Sequence, residues 1–202
     1  MIINVKWLEK TAYRKLWFWC SVEKIRSTSI QPIFGQKRIN MNKLTTIRIE
    51  KQYLHFSVAH FTIFSATERE RLHGHNFRIA AGITGEVDDN GLCFDYAIYK
   101  NILQELCKRF DEYTLIAENS PYLTIDQDEL FYQVTHNGIT MPLLKTDTLL
   151  LPVLNITIEE MSHYLLEDLT SDKGLLDDLK IHAFELRVSS GPDQWGIATW
   201  QR

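Results

Sequence analysis

The stretch from His73 to Glu86 alternates between two kinds of side chain, and this alternation constrains the fold more than any other feature. One parity holds His73, His75, Phe77, Ile79, Ala81 and Ile83, and the other holds Asn76, Arg78 and Thr84. Because successive side chains of a β-strand point to opposite faces of its sheet, the pattern predicts a long strand with one apolar face.

A second strand is predicted directly before it. The run from Thr45 to Phe61 is rich in β-branched and aromatic residues. Leu54, Phe56, Val58 and His60 share its apolar parity. Since strands that follow each other along a chain often pair, His60 is expected beside the His73 strand.

Two helices and two more strands are predicted further along. Asp95 is a good N-cap for a helix that runs to about Phe110, with an expected apolar stripe of Ile98, Ile102, Leu103, Leu106 and Phe110. A second helix starts at Thr157, where Thr157 and Glu160 have capping-box spacing. The segment 181–188 alternates as a strand, and 195–200 can pair back to it.

The long connection 113–154 between the helices holds an inserted hairpin. Two apolar runs flank Asn137 and Gly138, a strong signal for a two-residue hairpin turn. The element order is therefore strand, strand, helix, hairpin, helix, strand, strand. It predicts an α+β fold, with an antiparallel four-stranded sheet, two helices on one face and an inserted β-hairpin.

Charge divides the chain in two. Residues 1–44 carry nine Lys and Arg against two Asp and Glu, a net +7, whereas residues 45–202 carry thirteen against twenty-four, a net −11. Trp7, Trp17 and Trp19 also lie in the first part. An acidic main body offers no surface that tracks phosphates, so we expect no nucleic-acid partner.

Cysteine usage and hydropathy favour a cytoplasmic protein. The three cysteines form no CxxC pair, which argues against a disulfide scaffold or a zinc ribbon. The longest apolar run near the N-terminus, Leu16 to Cys20, is far shorter than the ~20 residues of a spanning helix. No secretory cleavage site is clear, so neither a membrane span nor export is expected.

Three histidines form a candidate metal site. His73 and His75 leave the same face of one predicted strand, and His60 has the core-side parity of its neighbour. Three neutral imidazoles around Zn²⁺ leave a fourth position open, which is typical of a catalytic site. Spacing alone leaves open the other reading, in which these are hydrogen-bonded core histidines.

These residues carry a resemblance to a known family. Phe56-Ser57-Val58-Ala59-His60 with Leu72-His73-Gly74-His75-Asn76-Phe77 resembles the zinc signature of the 6-pyruvoyl-tetrahydropterin synthase family, which includes the 6-carboxytetrahydropterin synthases of the queuosine pathway. The likeness continues through Gly85, 94–96, Asp111 and 155–159. It implies the tunnelling fold, or T-fold, and zinc at His60, His73 and His75.

The resemblance also implies the chemistry. Family members bind 7,8-dihydroneopterin triphosphate and eliminate triphosphate, commonly with a cysteine base before the histidine pair. This chain has no cysteine there, and Glu70 resembles the glutamate of a branch that makes 6-hydroxymethyl-dihydropterin for folate synthesis. Glu70 is the candidate base or fourth ligand, and burial is expected to tune it toward neutral pH. The alternative is that Glu70 belongs to a solvated charged loop.

Two departures from the family pattern concern catalysis and substrate binding. The Asp-His pair that relays the proton is Asp111-Glu112 here, so Asp111 and Glu112 are the other candidate catalytic residues. The glutamate that holds the pterin ring in the family's third strand is replaced within Val188-Ser189-Ser190. The candidate substrate-binding residues are Thr157, Glu159 and Ser190. Either Glu159 or a residue of the insertion compensates for the missing carboxylate, or the substrate is not a standard pterin.

The sequence therefore predicts a zinc-dependent lyase of the pterin synthase family, acting in queuosine or folate/pterin biosynthesis. The alternative is a divergent zinc-binding homologue that serves as a binding or assembly protein. By resemblance we expect a homo-oligomer with active sites between subunits. Residues 41–202 are expected to form the family domain, and 1–40 to lie outside it, as a basic extension or, the favoured interpretation, as the product of an upstream start codon.

Overall fold

The structure is a computed structural model that describes residues 43–202. The expectations for residues 1–40 lie outside these described residues. Ten strands, three α-helices and one short 3-10 helix (Lys145–Asp147) occur in the described part. The strands are β1 (Leu44–Ile49), β2 (His55–His60), β3 (His73–Glu86), β4 (Tyr113–Ala117), β5 (Thr124–Gln127), β6 (Phe131–His136), β7 (Ile139–Leu144), β8 (Thr148–Leu151), β9 (Ile181–Ser189) and β10 (Gly196–Gln201). The helices are α1 (Tyr96–Phe110), α2 (Ile158–Leu169) and α3 (Lys173–Asp178).

The main sheet contains the predicted antiparallel unit and extends it. β10, β9, β3 and β2 pair antiparallel in that order, and β1 also pairs with β3. β4 and β8 then add to β2 in parallel, which gives seven strands in all. The α+β class is therefore confirmed, but the number of four strands is wrong. The two added strands are short apolar runs in the connection 113–154, where no alternation reveals a strand.

The first predicted strand is divided into β1 and β2. A turn separates them, closed by a hydrogen bond from the Leu54 backbone N–H to the Lys51 oxygen at 3.1 Å. Both halves pair with β3, β1 with its C-terminal half and β2 with its N-terminal half. The division leaves the parity of β2 unchanged, so His60 keeps its place on the face of Phe56 and Val58.

The caps fix where the two long helices begin. The Asp95 carboxylate accepts a hydrogen bond from the Ala97 N–H at 2.9 Å, as expected of an N-cap. Thr157 caps α2 by accepting from the Glu160 N–H. The Glu160 carboxylate, however, accepts from the Leu154 N–H at 2.9 Å and so ties α2 to the preceding turn.

The helices bury their apolar sides in the core of the sheet. α1 buries Tyr99, Leu103, Leu106, Cys107 and Phe110. This stripe is rotated from the expected one, which contained Ile98 and Ile102 instead of Tyr99 and Cys107. α2 packs on β9 and β10, and α1 packs on β2. None of the helices in residues 43–202 has the length and apolar character needed to cross a membrane.

The insertion forms a small sheet of its own. β5, β6 and β7 pair antiparallel, and the predicted hairpin is β6–β7. Its turn residues, Asn137 and Gly138, both have positive φ (49° and 73°), as a tight two-residue hairpin requires. A second cluster of buried apolar residues joins this sheet to the loop after β2. It contains Phe61, Ile63, Ile116 and Val134.

Candidate metal centre and adjoining pocket

The pairing of β2 with β3 brings three imidazoles together. His60 lies opposite His73 in the antiparallel register, and Val58 lies opposite His75. Ligand atoms from His60, His73 and His75 lie within 4.8 Å of one another. The structure thus places the three predicted metal ligands in one cluster.

Backbone oxygens hold two of these rings in a defined orientation. The Nδ1 atom of His60 donates to the Ile156 oxygen at 3.0 Å, and Nδ1 of His73 donates to the Arg71 oxygen at 2.7 Å. A carbonyl oxygen only accepts hydrogen bonds, so Nδ1 carries the proton in both rings. In the neutral form of each ring, Nε2 then has a free lone pair, which is the state that a metal ligand needs.

His60 is the most buried member of the cluster, with 4% of its surface exposed. Within residues 43–202, its Nε2 atom is buried and has no hydrogen-bond partner. Burial, followed by the neighbouring His73 and His75, lowers the pKa of His60 from 6.5 to about 4. His60 is thus neutral at pH 7, with an unpaired nitrogen directed into the cluster.

This donor set fits a zinc ion. A buried nitrogen without a partner is costly unless something occupies its lone pair. Three imidazoles form a donor set that catalytic zinc sites use, with further positions left to water or substrate. Two of these rings have the outer nitrogen bonded to a backbone oxygen, as is common for zinc ligands. His60, His73 and His75 are therefore the residues that would hold the ion.

The Glu70 carboxylate lies at the edge of the cluster. Its Oε2 atom is 4.0 Å from Nε2 of His73 and accepts a hydrogen bond from the Thr62 N–H at 2.9 Å. Burial alone would raise the pKa of Glu70, but the hydrogen bonds from Thr62 and the nearby His73 outweigh it and lower the pKa. This direction is opposite to the expected tuning toward neutral pH. Glu70 is therefore a carboxylate at neutral pH, able to accept a proton.

A cavity of about 470 Å³ opens beside the imidazoles. Its lining includes the three predicted substrate-binding residues, Thr157, Glu159 and Ser190, together with Glu70 and His60. The neighbouring Ser189 is fully buried, and its hydroxyl donates to the Gly191 oxygen. Ser190 is therefore the serine of this pair that faces the cavity.

Asp111 and Glu112 do not join this cluster within one chain. The Asp111 carboxylate accepts from the Ser57 N–H at 2.7 Å. Glu112 has a left-handed backbone conformation, with φ of 67°, and lines another cavity of about 360 Å³ together with Ser57 and Asn76. His75 lines this second cavity as well as the first, so the two cavities share one of the three imidazoles.

Some cavity residues have no signal in the sequence. Thr62 and Ile156 act through backbone atoms, which any residue type supplies. Gln194 lines the cavity from the loop between β9 and β10, where no periodic pattern indicates which way a side chain points. The Gly191-Pro192 pair marks that loop as a turn but does not identify Gln194.

Residues 48–199 match the family model described as 6-pyruvoyl tetrahydropterin synthase. This range contains the histidine cluster, Glu70 and the cavity residues. It begins within β1 and ends within β10, so it spans the whole main sheet.

Relatives and solved structures agree with this match. A Methanocaldococcus jannaschii protein with the provisional name 6-carboxy-5,6,7,8-tetrahydropterin synthase is 24% identical over 144 residues, which are 70% of this chain and 86% of that protein. The Plasmodium falciparum 6-pyruvoyl tetrahydropterin synthase structure superposes with a TM-score of 0.75 at 26% identity, covering 80% of this chain and 100% of that one.

A third structure is that of a Plasmodium vivax 6-pyruvoyltetrahydropterin synthase in which a glutamate described as a catalytic residue is replaced by alanine. It has a TM-score of 0.75 at 24% identity and covers 79% of this chain and 99% of that chain. At this identity the superposition supports the shared fold.

Proposed function

Because the chain belongs to the 6-pyruvoyl tetrahydropterin synthase family, whose T-fold it shares, we propose that it is a zinc-dependent lyase acting on 7,8-dihydroneopterin triphosphate or a close pterin. Membership of this family supports a pterin synthase-like function. The observation that carries the finer proposal is the Glu70 carboxylate 4.0 Å from His73 in a cluster of three imidazoles. The reaction would serve queuosine or folate/pterin biosynthesis in the cytoplasm.

Each side chain of the site has a distinct task. Zinc, held by His60, His73 and His75, would supply the Lewis acidity that stabilises negative charge on a substrate oxygen. The ionised Glu70 takes the proton that leaves the substrate side chain, while the triphosphate departs with the bonding electrons. Thr62 keeps the receiving oxygen in place through its N–H. The use of a glutamate is supported by the Plasmodium vivax relative, whose catalytic residue is a glutamate.

The ring of the substrate would lie in the cavity beside the cluster. Two carboxylates line this cavity, Glu70 and Glu159. No residue of the insertion 113–154 is among its lining residues. Glu159 is therefore the proposed partner of the guanidine-like ring edge, with Thr157 and Ser190 beside it. A carboxylate can accept two hydrogen bonds from such an edge.

The oligomer expected by resemblance gives Asp111 and Glu112 a role in this reaction. They lie outside the cluster of their own chain, whereas the family resemblance implies active sites between subunits. We propose a homo-oligomer in which Glu112 of one copy reaches the site of another. β10 and β8 end the main sheet and have free edges for such pairing within residues 43–202. A monomer in light scattering would contradict this part of the proposal.

The test is turnover by the purified, zinc-loaded protein. Incubation should convert dihydroneopterin triphosphate to a product that mass spectrometry identifies as the 6-pyruvoyl, 6-carboxy or 6-hydroxymethyl compound. The first two form with release of triphosphate, whereas the third forms by side-chain cleavage and leaves the phosphates on the two-carbon fragment. The Glu70→Gln variant should retain zinc and lose about 100-fold or more of this rate. Glu68→Gln, in the same loop but exposed, is the matched control and should keep it.

A second candidate function is a zinc-binding homologue that binds a pterin or assembles with other copies without catalysis. Its support is that the cluster consists of His60, His73 and His75 and does not include Asp111 or Glu112. The two functions give different results in the same experiment. A wild-type protein that holds zinc but leaves dihydroneopterin triphosphate unchanged supports the second candidate, and zinc-dependent conversion that Glu70→Gln abolishes supports the first.

A further inference from the structure

Asn155, which lies far away along the chain, holds the loop that carries Glu70. The Asn155 amide nitrogen Nδ2 donates to the Ile63 oxygen at 2.8 Å. The Asn155 oxygen Oδ1 accepts from the Ile63 N–H at 3.1 Å. Both polar groups of Ile63 are therefore bound by one amide, as a neighbouring strand would bind them.

Ile63 adjoins the residue that fixes the Glu70 carboxylate. Thr62 donates its N–H to Oε2 of Glu70 and accepts, at its backbone oxygen, the Glu70 N–H at 2.9 Å. The Ile63 side chain is buried, with 6% exposed. Holding Ile63 at both backbone groups therefore fixes the peptide unit from which Glu70 takes its position.

The same amide also holds the segment that orients a metal ligand. Oδ1 of Asn155 accepts a second hydrogen bond, from the Ile156 N–H at 3.1 Å. The Ile156 oxygen is the acceptor that sets the tautomer of His60. One side chain thus connects the orienting partner of His60 to the orienting partner of Glu70.

We propose that Asn155 is a positioning residue that sets the placement of the Glu70 carboxylate relative to the metal ligands. This inference rests on the proposed function and deepens it. Asparagine suits this task because it offers a donor and an acceptor on one planar group. Aspartate keeps the acceptor but turns a second oxygen toward the Ile63 carbonyl, which has no proton to offer.

A residue that only stabilised the fold would not change the metal's surroundings or the chemical step. We therefore choose three measurements on the full-length protein. The first is the visible spectrum of the Co²⁺-substituted protein, which reports ligand geometry. The second is the separation of kcat from KM with dihydroneopterin triphosphate. The third is hydrogen exchange of the Thr62, Ile63 and Glu70 amides in the metal-free protein.

The test variants are Asn155→Asp and Asn155→Ala, and the control is Asn101→Asp, which makes the same change on the exposed side of α1. Asn155→Asp should lower kcat roughly 10-fold to 100-fold with a smaller change in KM, as losses of outer-shell partners do. It should also alter the Co²⁺ spectrum. Asn155→Ala adds no charge and should speed exchange of the three amides.

The inference would be overturned if Asn155→Ala had the same kcat, Co²⁺ spectrum and amide exchange as the wild-type protein. If Asn155→Asp does not fold, the same readouts in Asn155→Ala decide. If the wild-type protein does not convert dihydroneopterin triphosphate to any product, the lyase proposal fails separately. The Co²⁺ spectrum and the amide exchange still test the role of Asn155. If neither differs between the Asn155 variants and the wild-type protein, the positioning role is rejected.

Discussion

The Nδ1 atom of His60 donates a hydrogen bond to the backbone oxygen of Ile156, 3.0 Å away and 96 residues later in the chain. This bond joins the end of β2 to the turn before α2. The orientation of the most buried candidate ligand therefore depends on how the second helix packs on the sheet. The predictions below test this dependence and the chemistry proposed for the site.

The first prediction concerns metal content. His73→Ala removes one of three nitrogens that lie within 4.8 Å of one another, so the bound ion should be lost. Elemental analysis should find about one zinc per wild-type chain and almost none in the variant. His55→Ala is the control, because His55 is exposed and has the opposite strand parity. A metal-free wild-type protein would contradict the zinc proposal.

The second prediction concerns pH and the metal-free protein. Burial lowers the pKa of His60 from 6.5 to about 4. Between these values the unfolded chain binds a proton that the folded chain does not. The contribution of His60 to the free energy of unfolding should therefore have its full value above pH 6.5. It should decrease as the pH falls toward 4, by roughly 3 kcal/mol.

Urea unfolding of the chelated protein at about pH 7.5 and about pH 4.5 measures this decrease. His60→Asn should show a smaller loss across the same range, because it removes the titrating group. His55→Gln, at an exposed position, should behave as the wild-type protein does. An equal decrease in His60→Asn and wild type would assign the pH dependence to other groups.

The third prediction concerns the substrate ring. Glu159 lines the cavity and is the proposed acceptor for the ring edge. Glu159→Gln replaces a charge-assisted hydrogen bond by a neutral one, so KM should rise about tenfold with a smaller change in kcat. Glu167→Gln, on an exposed position of the same helix, is the control. An unchanged KM in Glu159→Gln would show that another group meets the ring.

The fourth prediction concerns the insertion. Nε2 of the buried His136 bonds the Ser65 oxygen at 2.9 Å and so ties the β6–β7 hairpin to the loop before Glu70. His136→Ala should leave the hairpin folded, since its turn is local, but should speed hydrogen exchange in the loop 64–68. The exposed His163→Ala is the control. Unchanged exchange would mean that the loop does not depend on this bond.

The fifth prediction concerns the domain boundary. β1 begins at Leu44, so a chain that starts at Met41 keeps every strand and helix described above. It should unfold at the same urea concentration as the full chain and bind zinc equally well. A chain that starts at Lys51 lacks β1, which pairs with β3 over six residues, and should be clearly less stable. A loss of zinc binding in the Met41 chain would place residues 1–40 within the functional unit.

Local patterns in the sequence determined much of the fold. The alternation from His73 to Glu86 predicts β3 at its observed bounds, because parity on a strand decides which side chains share a face. Asp95, Thr157 and the Asn137-Gly138 turn mark two helix starts and a hairpin, since caps and tight turns depend on a few neighbouring atoms. The three histidines could be selected from this information and the family resemblance.

Only the tertiary structure decided how these pieces meet. Local patterns do not reveal the register that sets His60 opposite His73 or the parallel addition of β4 and β8. They also do not reveal that the buried stripe of α1 includes Tyr99 and Cys107. Nor do they show that Asn155 holds Ile63. These features depend on contacts between residues far apart in the chain, often through backbone atoms that every residue shares, so no local pattern encodes them.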